Sequence, residues 1–376
     1  MLAGWLALGA GGCGSSDTAP AAAPVDAGAL APSADVDGPN PVGHATFDVT
    51  DAARSRALRV TVWYPADAAG AAAATAGTPL EDLEPPGAHH DALAALVASA
   101  KPACTRKRTR SAPDLAPAAG PWPVLVFSHC HGCARFSEAV VAERLASHGF
   151  AVVAPDHTGD TVYDATLAPL DDTFLATRAA DLRFVLDLAL DASSTALPAA
   201  LRGKFDAARA GVFGHSYGAI TTGLALRDDA RLKAGLSIAA PMAGLLGPAQ
   251  MSDLHVPVAL LIASEDNSVP KIVGNDVMEK DFTEAASPAY IARVADAGHF
   301  SFSDLCGLTA QDQAGCGEGK RMDAPHDAFS YVAADTSRAF AQRWVTAFFR
   351  ASLLGDDAAR ASLGSDLPAG VTASTK

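Results

Sequence analysis

The chain has 376 residues, 49% of them hydrophobic, 6% aromatic and 19% charged. That apolar share can fill a sizeable core and excludes disorder throughout. No Gly-X-Y period, sustained heptad or apolar run of about 20 residues suggests a collagen, a coiled coil or a multi-span membrane protein. With 28 Lys and Arg against 42 Asp and Glu, the net charge of -14 gives no overall pull toward nucleic acid or anionic lipid.

Residues 1–12, MLAGWLALGAGG, are apolar and small, and Cys13 follows. The stretch is too short to cross a bilayer and reads as the apolar part of an export signal. LGAGGC resembles a bacterial lipobox, which would put a lipid on Cys13 and the protein in the cell envelope or outside the cell. Residues 14–40 are rich in Ala, Pro, Gly, Ser and Asp without periodicity, and read as a disordered tether.

Residues 42–49 and 57–64 alternate in the way of β-strands, and Pro65 stops the second, so an antiparallel hairpin opens the fold. Residues 66–120 form an Ala-, Gly- and Pro-rich insertion, helical around 91–100, with a basic cluster (KPACTRKRTR) that reads as a solvated face. From 123 onward, short apolar strands (PVLVFS, FAVVAP, RAGVFG, LKAGLSIA, VPVALLIAS, AYIARVADA) alternate with helical patterns at 135–148, 173–190, 217–227 and 336–353. This alternation predicts an α/β fold, a mostly parallel sheet with helices on both faces. Length alone suggests two domains, at roughly 150 residues each. No linker divides 41–355, however, so the expectation becomes one catalytic domain over those residues and a C-terminal tail over 356–376.

Gly214-His215-Ser216-Tyr217-Gly218 lies between the strand RAGVFG and a helix. That context predicts a nucleophile elbow, in which a tight turn lifts the Ser216 hydroxyl above the sheet at a helix N-terminus. A serine hydroxyl needs a base, and the order Ser, acid, His selects from the histidines downstream. His255 precedes a strand and His326 sits in a later loop, whereas His299 follows the strand AYIARVADA and is the expected base. Asp266 follows VALLIAS and is the expected acid, ahead of its neighbour Glu265 and of Asp296, which is too near His299. Oxyanion donors are expected from the backbone N–H of Tyr217 and from the loop His129-Cys130-His131-Gly132-Cys133. Phe300 and Tyr217 are candidate wall residues, as are 242–256 and the insertion.

Six cysteines are present. A Cys306–Cys316 bridge is expected, with Cys104 joined to Cys130 or Cys133. Cys130-x-x-Cys133 has no second pair to complete a zinc site, so neither metal nor organic cofactor is expected.

Residues 122–158, with their FSH-x-H-G loop and LASHGF segment, resemble α/β-hydrolases of the platelet-activating-factor acetylhydrolase type and their bacterial relatives. So do residues 41–67 and GVFGHSYGAITT. The resemblance implies an α/β-hydrolase fold, a serine esterase, and the backbone N–H of His131 as the second oxyanion donor. The chain departs from that pattern twice. Cys130 replaces a glycine, and Ala239 stands where the acetylhydrolases carry their acid. The expected activity is carboxylic ester hydrolysis through an acyl-enzyme, with an ester as partner and contact with a membrane only through the lipid anchor. Phospholipid-acetyl and polyester (cutinase-like) hydrolases are narrower alternatives. Dienelactone hydrolases share the fold but use a cysteine, and Ser216 argues against that activity. A hydrolase-fold surface protein without turnover is the alternative from a different class.

Overall fold

In a computed structural model, residues 33–376 are described, and the expected signal segment, Cys13 and most of the expected tether lie outside them. The hairpin is present as β1 (Val42–Asp51) and β2 (Arg56–Pro65), paired from Val42 opposite Pro65 to Asp51 opposite Arg56. The insertion carries α1 (Ala71–Ala76), α2 (Ala88–Ser99) and the two-residue strand β3 (Ala112–Pro113). Next come β4 (Trp122–Ser128), α3 (Ala139–Ser147), β5 (Ala151–Pro155), α4 (Asp172–Leu190), β6 (Phe205–His215) and α5 (Tyr217–Asp228). The chain continues through β7 (Leu232–Ile238), β8 (Val258–Ala263), α6 (Asn275–Glu284) and β9 (Ala289–Val294). A small hairpin of β10 (Glu318–Lys320) and β11 (Ala328–Ser330) precedes α7 (Ala334–Leu353), α8 (Asp357–Ser362) and β12 (Val371–Thr375).

Ten strands make one sheet in the order β12-β9-β8-β7-β6-β4-β5-β2-β1-β3. The run from β5 through β4, β6, β7 and β8 to β9 is parallel, while β2 and β12 join it antiparallel. Successive side chains alternate faces, so β4 splits its apolar residues between two cores. Leu125 and Phe127 pack with α3 and α7, and Val124 and Val126 with α4 and α5. Parallel strands all point the same way. The loops after β4, β6, β8 and β9, which carry the candidate residues, therefore gather at one edge of the sheet.

Three differences from the sequence expectation have physical causes. Residues 33–40 are packed rather than loose: the Ala34 carbonyl accepts from Arg144 Nη1 (2.8 Å) and Gly38 N–H donates to Ser147 Oγ (2.9 Å). The helix expected over 135–148 starts only at Ala139, after a separate turn closed by the Ser137 N–H on the Ala134 carbonyl (2.9 Å), and Asp304 Oδ2 accepts from Val140 N–H (2.7 Å) at its start. The expected tail over 356–376 is built into the fold, with α8 capped by Asp356 and β12 closing the sheet edge.

Candidate active site

Ser216 sits at the junction of β6 and α5 with φ 56° and ψ −121°, a left-handed conformation rare for a residue with a side chain. Holding it there costs on the order of 1–3 kcal/mol, which the surrounding packing must supply. Two glycines make that packing possible. A Cβ on Gly214 would lie 2.1 Å from the Gly218 carbonyl oxygen, and one on Gly218 would lie 1.9 Å from that of Ser128. The Ser216 N–H donates to the Ile238 carbonyl (2.9 Å), while its hydroxyl has no hydrogen-bond partner among the described residues.

His299 and Asp266, from the loops after β9 and β8, meet with Nδ1 2.6 Å from Oδ2, and both are 2% exposed. A carboxylate only accepts, so Nδ1 carries the proton and Nε2 is left to receive one. The other oxygen of Asp266, Oδ1, accepts from the amides of Ser268 and Val269 (3.0 Å each), which fixes the carboxylate plane. Glu265 faces elsewhere: it pairs with Arg321 (2.9 Å) and accepts from Met322 N–H (2.8 Å). Asp296 also pairs with Arg321. His326 lies on the surface against the Arg321 carbonyl and His255 is exposed, so neither joins the site.

Behind His299, the His215 ring is wholly buried, and its Nε2–H donates to the His299 carbonyl (2.9 Å). Burial, aided by His299, holds the His215 pKa well below its usual value, so the ring is neutral. Glu138 Oε1 lies 3.2 Å from His215 Nδ1 but is misaligned for a hydrogen bond. Burial, with Asp304 nearby, pushes the pKa of that carboxyl well above its usual value. Phe300, a candidate wall residue, is buried edge-on against both imidazoles, and Tyr217 is 3% exposed with its hydroxyl on the Asp171 carbonyl (2.9 Å). Both brace the site more than they line it. Leu245 and Leu246, from the segment expected to form walls, pack in the cluster containing Tyr217.

Neither the His131 nor the Tyr217 backbone N–H meets a protein acceptor among the described residues, and the two rings lie 6.2 Å apart. The loop bearing His131 rests on a buried polar network. Ser128 Oγ is 2.9 Å from His157 Nε2, and His157 Nδ1 is 3.0 Å from Asp181 Oδ2. Arg178 donates to Ser128 Oγ (3.1 Å), to the His129 carbonyl and to Asp160. Burial and the Arg178 charge bring the His157 pKa down to about 4. Burial pushes Asp181 up, but hydrogen bonds from His157 and Arg56 outweigh it and leave the carboxyl at about 2. Sequence reasoning missed this network. Its signal was Arg178, a charge set within the apolar stripe of Leu175, Leu182 and Val185.

The disulfides differ from expectation. Cys104 pairs with Cys316, tying the insertion to the loop after His299, and Cys130 pairs with Cys133. Cys306 is free and buried. The insertion runs beside this loop, as the Thr105 hydroxyl bond to the Cys306 carbonyl (3.1 Å) shows, so Cys316 finds its partner across the fold instead of ten residues away.

The PET hydrolase-like family model matches residues 124–310, and the model for platelet-activating factor acetylhydrolase, isoform II, matches residues 31–169. Among solved structures, the chain is similar to a ferulic acid esterase from Streptomyces cinnamoneus, with a TM-score of 0.64 and 26% identity. That match covers 88% of this chain and 96% of the other. The chain is an α/β-hydrolase serine esterase. No match is found among curated proteins. As an esterase it is a carboxylic ester hydrolase, and the alternative of a surface protein without turnover falls away.

Proposed function

We propose that the esterase works through Ser216, His299 and Asp266, with the amides of His131 and Tyr217 as the oxyanion hole. The observation that carries this reading is the Asp266–His299 contact at 2.6 Å on the same sheet edge as the strained Ser216. Ser216 Oγ attacks the ester carbonyl while His299 Nε2 takes its proton. Asp266 keeps Nδ1 protonated and stabilises the imidazolium. The carbonyl oxygen, now negative, is received by the two unengaged N–H groups. His299 returns the proton to the leaving alkoxide, which departs as the alcohol. Water, activated by the same imidazole, then releases the acid and restores Ser216. A fluorophosphonate probe should label the wild type and leave Ser216→Ala unlabelled. Labelling of the variant at equal rate would overturn the assignment.

For the substrate, the reading best supported is an ester of an aromatic carboxylic acid. The PET hydrolase-like match contains Ser216, Asp266 and His299, whereas the acetylhydrolase match ends at 169, before all three. Ala239 also occupies the acetylhydrolase acid position. A panel of feruloyl, benzoyl and short-chain nitrophenyl esters beside an acetylated phospholipid tests this. Preference for the phospholipid would overturn it.

Export, with lipid on Cys13, is part of the same proposal. Two disulfides favour an oxidising compartment. Cys13→Ser should move the esterase from the membrane fraction to the soluble one, and an unchanged distribution would remove the anchor.

A further inference from the structure

We propose that the Cys130–Cys133 disulfide is a positioning device for the oxyanion donor at His131. The inference rests on the oxyanion-hole reading above and concerns how that hole is held.

A Cys-x-x-Cys pair ordinarily suggests thiol exchange, which requires an accessible sulfur. Here Cys130 and Cys133 are 1% and 0% exposed. Their Cα atoms stand 5.2 Å apart, with His131 and Gly132 between them. The chain on either side is already locked. Ser128 and His129 are held by His157 and Arg178, and the Cys133 carbonyl accepts from Val162 N–H (2.8 Å). Inside the turn, His131 Nδ1 lies 2.6 Å from Asp160 Oδ1. Gly132 N–H donates to Asp160 Oδ1 (2.9 Å), and the His131 carbonyl accepts from Gln311 Nε2 (2.9 Å). The turn itself closes through one long hydrogen bond, Cys133 N–H to the Cys130 carbonyl at 3.3 Å.

The Cys130 carbonyl also accepts from the buried His129 Nδ1–H (2.7 Å), and these two bonds together set where the donor points. In a trans peptide the carbonyl of one residue and the N–H of the next are antiparallel. While the Cys130 carbonyl faces Cys133, the His131 N–H must face the other way. If the turn opened, the His129 bond alone would hold the carbonyl, and the peptide plane could tilt the N–H away from the developing negative charge. The disulfide joins the same two residues as the long hydrogen bond, so it holds closed the turn on which the peptide's orientation depends.

The test is the double variant Cys130→Ala/Cys133→Ala, assayed well below its melting temperature. Loss of a single oxyanion donor costs roughly 100- to 1000-fold in kcat, and a loosened donor should cost roughly 10- to 100-fold. KM should stay within about twofold, and the affinity of a trifluoromethyl ketone, which forms the same tetrahedral adduct, should fall in parallel with kcat. A merely structural bond would lower the melting temperature and leave both unchanged, and that result overturns the proposal. If the double variant does not fold, the same measurements are made on Cys133→Ala alone, which breaks the bond and leaves Cys130 in place. Unaltered kcat and ketone affinity in that variant again overturn the proposal. Failure of the wild type to bind the ketone would instead count against the oxyanion-hole reading itself.

Discussion

The molecule places serine, histidine and aspartate in a row twice. Ser216, His299 and Asp266 stand at the carboxyl edge of the sheet, and Ser128, His157 and Asp181 are stacked beneath the loop that follows β4. In the second row neutral His157 donates from Nδ1 to Asp181 and accepts the Ser128 hydroxyl at Nε2, the same polarity a hydrolase needs. What differs is backbone and access. Ser128 lies in a regular strand, is wholly buried, donates to His157 and accepts from Arg178, so its proton and one lone pair are committed. Ser216 is held at positive φ, half-buried, with its hydroxyl unengaged. Three residue types in order do not make a nucleophile; on the proposed reading the uncommitted Ser216 oxygen is what separates the two sets.

The largest test of this contrast is Ser216→Ala beside Ser128→Ala. The first should lower kcat roughly a million-fold with an unchanged melting curve. The second should retain fluorophosphonate labelling and lose about 1–3 kcal/mol of stability, since it strands the His157 and Arg178 donors and acceptors in the interior. Comparable kcat losses in both would erase the distinction. Next in size is the pair of aspartates. Asp266→Asn should cost about 10⁴-fold in kcat by disturbing the His299 tautomer. Asp181→Asn should instead cost about 3–5 kcal/mol in a denaturant titration, because it also removes the carboxylate that pairs Arg54 and Arg56.

The smallest expected effect sharpens the comparison among carboxylates. Asp181 has cationic neighbours and an imidazole donor, whereas the Asp281 carboxyl of α6 accepts, among the described residues, from the amides of Met242 (2.9 Å) and Ala243 (3.2 Å). Burial therefore dominates at Asp281 and pushes its carboxyl up to about 7. A raised acid favours the folded state while protonated, so this contribution is full below about pH 4 and is lost as the pH rises through about 7. Asp181, held at about 2, contributes in the opposite sense, and that stability is lost as the pH falls through about 2. Asp281→Asn should flatten the stability curve between pH 4 and 7, measured by thermal melts. An unchanged slope would show that Asp281 does not titrate in that window.

The row proposed as catalytic was readable in the sequence as a pattern because each member follows an apolar strand. GHSYG sits between a strand and a helix, Asp266 ends VALLIAS, and His299 follows AYIARV. The hairpin, the parallel strands and most helices were readable for the same reason, since period and punctuation are local. What stayed hidden depends on contacts between distant segments. Cys104 and Cys316 are 212 residues apart, and nothing local to either marks the pairing. Helix α6 buries the polar Asn275 and Asp281 beside Met278, so its buried face does not read as an apolar stripe in NDVMEKDFTE. The His131 amide entered through family likeness alone, because a backbone donor has no side chain to announce it.

Strand β12 has a consequence for handling the protein. Val371–Thr375 pairs along β9, and Lys376 exchanges both backbone hydrogen bonds with Ala289 (2.9 and 3.0 Å). Strand β9 is nearly all apolar and buried, and without β12 it would offer a bare row of amides and carbonyls at the sheet margin. Such an edge recruits strands from other molecules. Deleting residues 371–376 should therefore leave the Ser216 edge intact while making the esterase self-associate, visible as a shift in light scattering before any loss of turnover. The outermost strand acts as a sacrificial selvedge: its small side chains finish a weave that would otherwise keep growing.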